Sequence, residues 1–129
     1  METNNNYKIL VIEDDKFQHS AIVTKLEKAG FTVLSAYDGK QGLDQALSNH
    51  PDLILLDIIL PVMDGMTVLE NLRKDPWGLN ADVIILTNLS GVEKDIKIEE
   101  NRVREFLIKS DWGLEDLVIL IKQRMKGQS

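Results

Sequence analysis

A chain of 129 residues with 43% hydrophobic content and no cysteine is long enough for one buried core without disulfides or a thiolate metal site. Its 21 acidic and 15 basic residues leave a formal net charge of −6, which disfavours nonspecific binding to nucleic acid and to anionic membrane surfaces. The opening METNNNYK lacks the apolar stretch of a signal peptide, and no apolar run approaches the ~18 residues of a membrane span, so a soluble cytoplasmic domain is expected.

In chain order, polar Thr3 to Asn6 predicts a frayed start, and Ile9-Leu10-Val11-Ile12 a first strand that runs into Glu13-Asp14-Asp15. Ile22, Leu26 and Ala29 recur at i, i+4, i+7 and mark a first helix, stopped at Gly30. Phe31 to Ala36 alternates and reads as an edge strand, whereas Leu53 to Leu56 and Val83 to Leu86 are continuous apolar runs suited to strands covered on both faces. Leu43, Ala46 and Leu47 mark a second helix ending near Pro51; Met66, Leu69 and Leu72 mark a third, with Asp64-Gly65 as its turn and N-cap. Val92 and Ile96 give a weak fourth helix, because Glu99-Glu100-Asn101-Arg102 carries no apolar stripe. Phe106-Leu107-Ile108 is the last strand, and Leu114, Leu117, Val118, Ile121 and Met125 hold one face of a fifth helix. With no repeat, low-complexity stretch or linker, residues 1–129 read as one domain with an ordered core of about 7–126.

Five strand-helix pairs predict an open α/β sheet with right-handed crossovers and helices on both faces. Ligands in such sheets sit beyond the carboxyl ends of the strands. At those ends stand Glu13, Asp14 and Asp15, then Asp57, Thr87 and Lys109. Asp57 closes an apolar run, and an ionised carboxylate there needs a partner charge, a metal or hydrogen bonds. Clustered carboxylates raise one another's proton affinity, so a hard, oxygen-preferring cation, Mg²⁺, is expected with the lysine as a second counter-charge.

ILVIEDD, LILLDIILPVMDG, VIILTN and EFLIK, in that order and spacing, resemble the receiver domain of two-component response regulators over about residues 7 to 126. The resemblance implies a flavodoxin-like three-layer sandwich, its five-stranded parallel sheet ordered 2-1-3-4-5 with five helices. It also implies that Asp14, Asp57 and the backbone carbonyl of Ile59 hold Mg²⁺, with Glu13 acting through a bound water. Asp57 would be the phosphoacceptor, taking a phosphoryl group from a phosphohistidine on a sensor histidine kinase or a histidine phosphotransfer protein. Lys109 would neutralise the transferring group and the Thr87 hydroxyl would donate to it. Thr87 and Phe106 would form the switch, Phe106 being able to bury fully, with the output surface on helix four, strand five and helix five. Such a domain is not an enzyme with a separate substrate; it promotes its own phosphorylation and dephosphorylation.

Other readings compete. Asp15 is a better N-cap than ligand, Thr87 could be a buried strand threonine and Lys109 a surface lysine. His19 and His50 are expected on the surface. Ile119 and Leu120 fall off the buried stripe of the fifth helix, as lateral packing or as a patch for a homodimer or partner contact. Ser110 stands where the family usually has proline after the lysine, which predicts a trans bond and a rearranged loop; Asn88 replaces a small residue, and Asn101 is a candidate for left-handed backbone. Ile59 and Leu89 border the site with apolar side chains that neither orient water nor leave it easy access, which predicts a long-lived phosphoryl state. A phosphatase of the haloacid-dehalogenase type needs a second acid where Ile59 stands. A degenerate receiver acting only as a binding module, and a receiver cut from a larger regulator or hybrid kinase, are the remaining alternatives, although the chain ends just after the fifth helix.

Overall fold

Residues 6–88 and 100–126 are described in the computed structural model, and within them the apolar runs become strands where the pattern predicts. β1 (Lys8–Ile12), β2 (Thr32–Ala36), β3 (Leu53–Leu56), β4 (Val83–Thr87) and β5 (Glu105–Ile108) form one parallel sheet in the order β2-β1-β3-β4-β5. The three central strands are buried apart from Lys8, as continuous apolar runs require, while the alternating β2 lies half-exposed at one edge and β5 at the other.

Helices α1 (Lys16–Lys28), α2 (Gly39–Asn49), α3 (Gly65–Lys74) and the C-terminal helix (Leu114–Lys126) cover the sheet, making four among the described residues. The expected fourth helix, with Val92 and Ile96, and Leu89 beside the site fall outside the described residues. Asp15, Asp38 and Asp64 cap α1, α2 and α3, each accepting a backbone N–H three residues on. Gly30, at φ 95°, turns the chain from α1 into β2.

The apolar residues divide between the two faces of the sheet. Ile9, Val11, Leu53, Leu55, Ile84 and Leu86 pack with Leu26 of α1 and with Leu117 and Ile121 of the C-terminal helix. Leu10, Ile12, Ile54, Leu56 and Ile85 pack with Ala46 of α2 and with Leu69 and Leu72 of α3. Filling both faces fixes the strands tightly, so their carboxyl ends have little freedom to move apart.

One side chain pins the opposite edge of the sheet. Arg73, near the end of α3, donates from Nε to the Asn101 carbonyl at 2.8 Å, from one terminal nitrogen to Gly78 and Ala81 at 2.8 and 2.7 Å, and from the other to Arg102 at 3.2 Å. Those carbonyls lie in the segments that lead into β4 and β5. Burial holds the Arg73 guanidinium below its ordinary proton affinity, with the Arg102 charge adding to the effect.

Two sequence expectations change here, those for His19 and Asn101. His19 is buried in α1, on the same face as Ile22 and Leu26, because its ring stacks on Tyr37 at 4.2 Å and its Nδ1 meets the Glu13 carbonyl at 2.9 Å. The left-handed residue before β5 is Arg102, at φ 53°, and not Asn101; Arg73 holds the carbonyls of both. Phe106 is half-buried on β5, an edge strand with a strand neighbour on one side only. His50 is exposed as expected and stacks flat on Trp77 at 4.4 Å. Ile119 is exposed whereas Leu120 packs laterally against the core, so the two divide between the two readings.

Val62, in the loop after β3, holds φ at 70°, a conformation that crowds a β-branched side chain. Replacing Val62 with Asn is expected to raise stability by about 1 kcal/mol, measured by urea denaturation at fixed pH.

Candidate functional site

Sheet register assembles the site. Ile12 pairs with Leu56, which places Glu13 and Asp57 one step past the ends of neighbouring strands, and the Asp57 N–H donates to the Ile12 carbonyl at 3.2 Å. Thr87 pairs with Ile108, so Thr87 closes β4 beside the residue that precedes Lys109. Lys109 begins a single 3-10 turn, Lys109–Asp111, and the Lys109–Ser110 peptide is trans, as Ser110 led us to expect. Gly65 lets α3 approach the site: a Cβ there would lie 2.3 Å from the Asp57 carbonyl oxygen.

Carboxylate oxygens of Glu13, Asp14 and Asp57 lie within 4.8 Å of one another, with Glu13 and Asp57 buried and Asp14 exposed. The Lys109 ammonium bonds to Glu13 Oε1, to Asp57 Oδ2 at 3.0 Å and to Gln18 Oε1 at 2.6 Å. The other oxygen of each buried acid takes a backbone N–H: Asp15 donates to Glu13 Oε2 at 3.0 Å, and Ile59 to Asp57 Oδ1 at 3.1 Å. Hydrogen bonds and the Lys109 ammonium, the counter-charge expected from the sequence, therefore offset the burial of Asp57.

Charge balance is incomplete. Three carboxylates face one ammonium, and burial pushes the Glu13 carboxyl above its ordinary value of 4.5 despite the Lys109 and Asp15 hydrogen bonds that act against it. Burial also works against the Lys109 ammonium, but its hydrogen bonds to Glu13 and Asp57, and their charges, outweigh this and hold it above its ordinary value of 10.5. Hard oxygen donors in excess of the local positive charge suit a small divalent cation, so the donor set fits the Mg²⁺ that the resemblance implies.

Of the predicted residues, Glu13, Asp14, Asp57 and Lys109 come together as one cluster, and Thr87 is fully buried at the adjoining strand end. Ile59 is exposed on the loop after Asp57. Phe106, three residues before Lys109, packs with the sheet face that carries α2 and α3. Sequence reading passed over Gln18 and misplaced His19. Both are visible in retrospect from helical spacing: Gln18 stands four residues before Ile22, and His19 three before it and seven before Leu26, all facing the sheet.

Comparisons with known proteins give the same picture. The model of the response regulator receiver domain matches residues 9–122. The DNA-binding dual master transcriptional regulator RpaA of Synechocystis is 32% identical over 119 residues, which are 92% of this chain and 49% of that protein. Response regulator PleD of Caulobacter vibrioides is 32% identical over 117 residues, 91% of this chain and 25% of that one. The chain thus spans half or less of the length of these curated relatives. Among solved structures, the receiver domain of the Francisella response regulator 1452 has 33% identity and a TM-score of 0.84, covering 96% of this chain and 100% of that one. The Thermotoga maritima response regulator TrrA, solved in complex with Mg²⁺-BeF, has 27% identity and a TM-score of 0.79, covering 90% and 96%. Order of strands, placement of the acids and the extent of these matches lead to one conclusion: the chain belongs to the response regulator receiver domain family.

Proposed function

We propose that this domain accepts a phosphoryl group on Asp57 from a phosphohistidine of a sensor histidine kinase or histidine phosphotransfer protein. The observation that carries the reading is the Lys109 ammonium held 3.0 Å from an Asp57 carboxylate oxygen, inside a pocket of excess negative charge. Mg²⁺, held by Asp14, Asp57 and the Ile59 carbonyl with Glu13 reaching it through water, would screen the charge of the incoming phosphate.

The remaining chemistry belongs to the chain. An Asp57 oxygen forms the O–P bond while the donor's N–P bond breaks, and the bonding pair leaves with the imidazole nitrogen, which takes its proton from solvent. Asp57 is already an anion, so no general base is needed. Lys109 follows the charge as it spreads onto the phosphoryl oxygens, and the Thr87 hydroxyl donates to one of them. Phosphorylation adds nearly two negative charges at this strand end. That gives Thr87 and Lys109 new partners and shifts Phe106, which reports the change on the surface of the fourth helix region, β5 and the C-terminal helix. A downstream protein or a second copy of the chain reads that surface, where Ile119 is exposed.

Incubation with a small phosphodonor and Mg²⁺ is expected to add one phosphate-sized mass to the native chain and none to Asp57→Asn. Equal masses for the two would leave the phosphorylation-independent binding module as the better reading.

Asp14→Asn is expected to weaken Mg²⁺ binding about tenfold by calorimetry, without loss of fold. Glu13 sets the pH dependence: its raised proton affinity means that it takes up a proton at a higher pH than an ordinary glutamate. Mg²⁺ affinity is therefore expected to fall as pH drops through a point above 4.5, and this early loss should vanish in Glu13→Gln.

Ile59 borders Asp57, is 57% exposed and has no side-chain group to orient an attacking water. The phosphoryl group is expected to decay faster in Ile59→Asn than in the native chain, followed by the loss of the added mass with time. A slower decay in the variant would contradict the long-lived state.

A further inference from the structure

The Lys109 ammonium has three N–H donors, and three acceptors take them: Glu13 Oε1, Asp57 Oδ2 and Gln18 Oε1. Two of those acceptors belong to the carboxylates of the candidate metal cluster, so a cation entering it draws on the same two side chains as the ammonium. Gln18 differs. Its amide oxygen lies at 2.6 Å from Nζ, carries no formal charge and is not one of the clustered carboxylates. We infer that Gln18 is a positioning residue, holding the Lys109 ammonium against Asp57 when a divalent cation draws on the two acids.

Local structure supports this role. Gln18 sits in the first turn of α1, where its backbone N–H bonds to the capping carboxylate of Asp15 at 3.0 Å, so its Cα is fixed relative to the Glu13-Asp14-Asp15 loop. Behind it Ile22 and Leu26 anchor the same helix face in the core. From the other side, Lys109 leaves β5 through a 3-10 turn and has no proline after it to stiffen its backbone. The side chain is therefore located chiefly by what its nitrogen binds. Gln18 is the one ligand of that nitrogen that carries no charge and does not belong to the carboxylate cluster. It also lines, with Lys109, Asn88 and Ser110, a cavity of about 320 Å³ between α1 and the C-terminal helix, so there is room beside the Lys109 side chain.

The inference rests on Asp57 being the phosphoacceptor, and two measurements separate the failure of one from the failure of the other. The first is the rate of phosphoryl uptake from a small phosphodonor at saturating Mg²⁺. Gln18→Met, which keeps the bulk and loses the acceptor, is expected to slow uptake about tenfold, while Gln18→Glu, which keeps an oxygen at the same reach, restores most of it. In a Lys109→Met background, Gln18→Met should slow uptake no further. An equal slowing in both backgrounds overturns the inference, because Gln18 would then act without Lys109. The second measurement needs no phosphorylation: in NMR spectra of the Mg²⁺-loaded chain, the two ε-methylene protons of Lys109 should be inequivalent in the native protein and in Gln18→Glu, and merge in Gln18→Met. Unchanged inequivalence in Gln18→Met overturns the positioning role even where the rates fall. A native chain that takes up no phosphoryl group overturns the phosphoacceptor reading, and the NMR comparison still decides whether Gln18 holds Lys109.

Discussion

An ammonium wedged between two buried carboxylates is the interaction on which the carboxyl edge of this sheet depends. Glu13, Asp57 and Lys109 belong to segments far apart in the chain, yet each buried charge is tolerable only because the others are there. Register supplies the precision: β1 pairs with β3 so that Glu13 and Asp57 emerge side by side, and Lys109 reaches them from the end of β5, across the end of β4. The three acids still outnumber the base, and that surplus makes the pocket a place where further positive charge is welcome.

Much of this was legible in the chain because its strongest signals are physical and local. Continuous apolar runs at Ile9 to Ile12, Leu53 to Leu56 and Val83 to Leu86 demand cover on both faces, which forces a parallel sheet with helices above and below. A polar residue ending such a run has nowhere to go except the carboxyl edge, which is why Asp57, Thr87 and Lys109 stood out in the sequence as candidates for one site. Asp15 and Asp64 announced two helix starts, and both cap as read.

What escaped were side chains whose role depends on a partner distant in sequence. Gln18 is an unremarked polar residue until Lys109, ninety-one positions away, places its nitrogen beside it. His19 read as a surface residue because imidazole is polar, yet Tyr37 supplies a ring to stack on and the Glu13 carbonyl an acceptor, neither of which helical spacing alone reveals. Left-handed backbone fell to Arg102 rather than Asn101, since Arg73 ties down the carbonyls of both residues and tertiary hydrogen bonds outweigh a local preference of about 1–2 kcal/mol.

The fork of bonds from Arg73 gives the domain an asymmetric stiffness. With the segments ahead of β4 and β5 fastened to α3 by one planar guanidinium, the amino edge of the sheet acts as a fulcrum. The entry points of both strands are thereby set by a single side chain, so the spacing of Thr87 and Lys109 at the other end of the sheet is inherited in part from a residue on α3 that touches neither.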